Sequence, residues 1–179
     1  MKSLIIPYKG KHPKIHPSVF IAPNAVIIGD VEIGENSSIW FNCVIRGDVN
    51  HIRIGKNTNI QDNTVIHVSR GHLTTKLDAH GAPTIVGSNV TVGHSVILHG
   101  CILEDASFIG MHSTILDKAV VESGGMVAAH TLVSPGKRII KGEIWAGNPA
   151  KFFRNLNDGE KDFILRSANN YVELGRDYK

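Results

Sequence analysis

Aliphatic residues recur at every sixth position along most of this chain, and that period excludes nearly every common fold. Ile15, Ile21, Ile27, Ile33, Ile39 and Ile45 open the series. Added residues around Val49 to His51 reset it, and it resumes at Ile54, Ile60 and Ile66. The stretch VSRGHLTTKLDAHGAPT interrupts it before Val86, Val92 and Leu98. After one dropped residue, Leu103, Ile109, Ile115, Val121, Val127, Val133 and Ile139 complete it. An α-helix repeats every ~3.6 residues and a strand every ~2, and a hairpin sheet this regular would carry paired turn signals. A hexad instead supplies one short strand and one corner. Three hexads close a triangular coil of about eighteen residues, and successive coils stack about 4.8 Å apart. The expectation is an all-β solenoid, a parallel β-helix in which the aliphatic residue of each hexad points inward and the next residue outward.

The tail abandons this period, which divides the chain into a solenoid over residues 1–150 and a closing segment over 151–179. Asn157 followed by Glu160 has capping-box spacing and predicts a C-terminal α-helix. Phe163, Ile164, Ser167, Ala168, Tyr171 and Leu174 fall on one face of it, so the helix is expected to pack along the prism.

With 179 residues the chain can bury a substantial core. Its net charge of +3 comes from scattered Lys and Arg rather than from a basic stripe, which argues against a nucleic-acid partner. The opening MKSLIIPYKGKHP has too short an apolar run for a membrane span or a signal peptide, so a cytoplasmic location is expected. Cys43 and Cys101 lack CxxC spacing and read as buried, reduced thiols.

Ten histidines remain to be placed. Naming the sides a, b and c in order from Ile15, the hexads at Ile45, Ile66 and Leu98 all fall on side c. Arg46, His67 and His99 then form one outward column, with His67 and His99 on adjacent coils and able to share a metal ion. His94, two places after Val92, lies on side b near the corner and points away from that column. Its counterpart in another subunit could complete the site, and a threefold arrangement would repeat that site at each interface. Asp62 has the same offset one coil below His94, where it could orient that ligand or pair with Arg46. His12, His16, His51, His112 and His130 read as solvated polar residues.

The segments RGDVNHIRIGKNTNIQDNTVIH, VGHSVILHG and WAGNPAKFFR occur in an order that resembles the γ-class carbonic anhydrases, a family of hexapeptide-repeat left-handed β-helix proteins. The resemblance, not the periodicity, supplies the handedness. It implies a homotrimer with His67 and His99 as zinc ligands from one subunit and His94 from its neighbour. It places Arg46, Asp48 and Asp62 on interface ion-pair positions, Gln61 beside the metal-bound water, and Tyr171 at the position of an active-site tyrosine found in some members. The activity implied is reversible hydration of carbon dioxide to bicarbonate by a zinc-bound hydroxide. Iron also suits three imidazoles. Two departures bear on the rate. Val49 stands where the best-studied pattern has a glutamate, and the insertion offers Asp78, His72 and His80 but no shuttle glutamate. The two histidines have a pKa suited to proton transfer.

Because the fold also hosts acetyl-CoA-dependent acyltransferases, it does not by itself decide function. A noncatalytic metal- or siderophore-binding protein is the third class. The three-histidine set is unnecessary for acyl transfer, which needs one general base.

Overall fold

In a computed structural model, which describes residues 3–71 and 80–179, the hexads form a three-sided prism of short parallel strands. Side b is one sheet, running from Phe20–Ile21 through Ser38–Ile39, Asn59–Ile60, Thr91–Val92, Phe108–Ile109 and Met126–Val127 to Glu143–Ala146. Sides a and c form a second sheet, joined where the long strands Val26–Ile33 and Val44–Ile54 bend across the corner between them. Register is set by the hexad: Ile60 pairs with Ile39 below and Val92 above, and Ile66 pairs with Ile45 and Leu98.

Each inward aliphatic side chain therefore stacks on its counterpart one coil away. Ile27, Ile39, Ile45, Ile60, Ile66, Leu98, Ile109 and Ile115 are all 0 % exposed, while Ile15 and Ile21 in the first coil are only partly covered. Burial of such a side chain contributes about 1.5–3 kcal/mol, so the column is the main source of stability. Cys43 and Cys101 lie within the same core as free thiols.

The corners have their own rule. Three residues before the inward aliphatic position, the backbone repeatedly turns left-handed, as at Asn24, Asn36, Asn42, Asn57, Asn63 and Asn89. Asparagine tolerates that region better than most side chains. Its amide also bonds to the next coil: Asn24 Nδ2 donates to Asn42 Oδ1 at 2.6 Å and Asn57 Nδ2 to Asn89 Oδ1 at 3.2 Å.

After the last full coil, the strand Lys151–Asn155 turns back antiparallel on Glu143–Ala146, and helix α1 spans Asp158–Asp177. Asn157 and Glu160 form the expected reciprocal capping box. The helix packs on side b through Ile164, Ser167, Ala168 and Gly175, with Ser167 Oγ 3.1 Å from Thr91 Oγ1. Leu174 is exposed, not packed, and Gly175 takes the inner position against Phe20 and Ser38. Among the described residues no helix is long and apolar enough to cross a membrane.

Candidate metal centre

His67 and His99 end the side c strands Val65–His67 and Ile97–His99 and are direct partners in the ladder. The hexad thus places both rings outward at the same position on side c, one coil apart. His67 Nδ1 and His99 Nε2 face each other across 3.2 Å. The far nitrogen of each ring is held by a carboxylate: Asp48 Oδ1 lies 2.9 Å from His67 Nε2, and Asp117 Oδ1 lies 2.6 Å from His99 Nδ1.

That arrangement fixes what the facing nitrogens can be. An ionised carboxylate accepts only, so each far nitrogen donates its N–H and each facing nitrogen of a neutral ring presents a lone pair. Two lone pairs this close repel unless a cation or proton lies between them. A tetrahedral zinc ion with bonds of about 2.0–2.1 Å places two nitrogen donors about 3.3 Å apart, so the pair fits such an ion. Burial alone would push the Asp48 carboxyl up, but hydrogen bonds from His67 and Arg46 outweigh it and hold the group below the usual carboxylate range.

The third histidine repeats the pattern at the corner between sides b and c. Asp62 Oδ2 lies 2.8 Å from His94 Nδ1, leaving Nε2 directed elsewhere on a ring that is 41 % exposed. Asp62 lies directly beneath, its carbonyl accepting from the Ser95 amide. Within one chain His94 does not join the pair: among the described residues no group of three or more His, Cys, Asp or Glu is placed to hold a metal ion.

Arg46 occupies the column below His67 as expected, and it pairs with Asp48 in its own chain, whereas Asp62 is committed to His94. Gln61 is 5 % exposed, and its Nε2 donates to Asn59 Oδ1 at 3.0 Å, leaving Oε1 as the free acceptor. Asn59 in turn donates to Thr91 Oγ1, so Gln61 is tied through side b to the helix. Tyr171 stands edge-on to Trp40, with ring centroids 5.5 Å apart, and lines a groove together with Gln61 and His94. Burial, with the Asp62 charge added, raises the Tyr171 phenol above its ordinary value. It is therefore a hydrogen-bond donor at neutral pH rather than a base. His80 sits at the end of the insertion with its carbonyl held by Asn50 Nδ2 at 3.1 Å, while His72 and Asp78 lie outside the described residues.

Asp117, which holds His99, is the residue of this cluster that the hexad pattern does not single out. The one signal for it is Gly100 in LHG: a Cβ there would lie 2.3 Å from Asp117 Oδ1, so the glycine vacates the space the carboxylate fills.

A triangular solenoid of hexads with a helix laid along one side defines the class, a hexapeptide-repeat β-helix. Residues 12–47 match the family described as bacterial transferase hexapeptide, six repeats. The carbonic anhydrase of Geobacillus kaustophilus is 46% identical over 98% of this chain and 91% of its own length. The mitochondrial gamma carbonic anhydrase 2 of Arabidopsis thaliana is 52% identical over 93% of this chain, and the chain spans only 58% of that relative's length. Among solved structures, a hexapeptide transferase family protein from Anaplasma phagocytophilum superposes with a TM-score of 0.90, at 46% identity over 98% of each chain. The chain belongs to the γ-class carbonic anhydrase family of hexapeptide-repeat, left-handed β-helix proteins.

Proposed function

We propose that the protein catalyses the reversible hydration of carbon dioxide to bicarbonate at metal sites shared between the subunits of a homotrimer. His67 and His99 of one subunit and His94 of its neighbour would hold the ion. The observation that carries this reading is the threefold recurrence of one motif: each of these rings has one nitrogen fixed by its own aspartate, with the other left to ligate. Carboxylate–histidine pairs of this kind orient rings for a metal and raise their basicity. Zinc, or iron in its place, would supply Lewis acidity that makes water a nucleophile near neutral pH.

The chain's own residues do the rest. Gln61 Oε1 accepts a hydrogen bond from the attacking water and orients it. Tyr171, kept protonated, donates to a substrate or product oxygen. His80 at the end of the insertion, together with His72, which lies outside the described residues, is the candidate acceptor for the released proton. Arg46, paired to Asp48, braces the ring of His67 and extends toward the interface.

Assembly is supported by the surface around the pair. Val65 and Ile97, directly beside the histidines on side c, are 40 % and 45 % exposed, and Leu4 and Ile6 continue the apolar surface on the first coil. A face like this is normally covered, and a second copy of the chain covers it while bringing its own corner to the pair.

The reading is tested by metal analysis together with carbon dioxide hydration assayed in buffers of increasing strength. About one zinc or iron per subunit is expected, with metal and activity both lost in His67→Ala, His94→Ala or His99→Ala. Metal-free protein with saturable acetyl-CoA binding would overturn this reading in favour of acyl transfer. Retained metal without hydration in any buffer would leave a metal- or siderophore-binding role.

A further inference from the structure

The groove beside His94 is much larger than carbon dioxide requires. Its volume is about 410 Å³, within the range of small-molecule sites. Its polarity is lopsided: Gln61, His94 and Tyr171 line it, while Phe108, Met111, Met126 and Phe163 supply apolar walls. The floor is bare backbone at Gly93 and Gly110, where a Cβ would lie 2.8 Å from the Met111 nitrogen and 2.4 Å from the Ala129 nitrogen. Coil stacking therefore keeps that floor free of side chains. One wall belongs to α1, whose Phe163 ring sits 5.5 Å from Phe108. Met111 and Phe163 stand 50 % and 40 % exposed, apolar surface that a ligand would remove from water. Methionine walls adapt readily to ligands of different shape.

A site with one polar end and an apolar remainder fits a ligand built the same way. We propose that the groove binds a short-chain aliphatic carboxylate, with its head at the His94 end and its tail over Gly93 and Gly110 between Met111 and Phe163. The proposal rests on the metal reading above, because a carboxylate head beside Asp62 needs the positive charge of a bound metal. The hydration reaction does not require the tail site, so the groove extends the ligand range of the same centre.

The test is binding of acetate, butyrate and hexanoate to the metal-loaded protein by calorimetry, with metal content measured on the same samples. Burial of methylenes in a half-open groove should strengthen binding about twofold for each one, or roughly 15-fold from acetate to hexanoate. Ala128→Leu, one coil above Gly110 in the same outward column, should abolish that dependence and leave acetate affinity unchanged. Phe163→Ala, an exposed helix position, should reduce the hexanoate advantage several-fold and guards against misfolding of the first variant. Metal-loaded protein that binds acetate with no chain-length dependence would overturn the groove assignment and leave the metal reading intact. Protein that holds no metal and binds no carboxylate would overturn both.

Discussion

Asp117 treats His99 as Asp48 treats His67 and Asp62 treats His94. Each carboxylate takes one N–H and so decides which nitrogen is free. Asp117→Ala should weaken zinc binding about 10–100-fold in competition with a chelating dye, with the circular dichroism of the fold unchanged. Equal affinity would reduce Asp117 to a surface contact. The two thiols behave in the opposite way. Burial pushes Cys43 and Cys101 up to about 12, so both stay protonated and shielded at pH 8. A thiol reagent should find neither in the folded protein and both after denaturation. The positions of His67, His94 and His99 on the prism were legible in the sequence because the hexad assigns each a side and a coil. Asp117 was not, because its role depends on a ring leaning up to the next coil over a glycine.

At the scale of elements, the hexad specified the strands, their register and the inward residue of each. The left-handed corners are equally regular, yet Ala106, Lys118 and His130 occupy them as well as asparagine, so composition at that position is a poor guide. The helix was announced by its cap, and the cap should be measurable. Asn157→Ala should cost about 1 kcal/mol in a denaturant titration, with the loss confined to α1. Hydrogen bonds from Arg154 and from the Asn157 amide hold Glu160 down at about 2. A carboxyl depressed in the folded state stabilises above its ordinary pKa, and that contribution is lost progressively as pH falls from there through the folded value. The first turn of α1, followed by NMR, should thus stay capped through pH 4 and loosen near pH 2; Glu160→Gln should remove the transition. The packed face was read one residue off at Leu174, since periodicity alone could not show that Gly175, against Phe20 and Ser38, is the residue that faces the prism.

At the scale of the whole molecule, the proposed site is split. One chain presents a pair of rings on side c and a third at the next corner, with apolar surface beside the pair. Val65→Lys with Ile97→Glu should give folded monomers that lose metal together with assembly, seen by sedimentation and metal analysis. The sequence already implied this division through the odd spacing of His94 and His99, which places a prism corner between them. It could not reveal the groove along α1, which exists only once the helix packs on side b and forms a wall beside Gly93 and Gly110. The shared site is tested most directly by mixing His67→Ala and His94→Ala subunits and measuring bound metal. Each variant alone should hold none, and a randomly mixed trimer should regain about a quarter of the wild-type content, because one interface in four joins two intact halves. Metal retained by His94→Ala alone, or none recovered in the mixture, would contradict a site built between subunits.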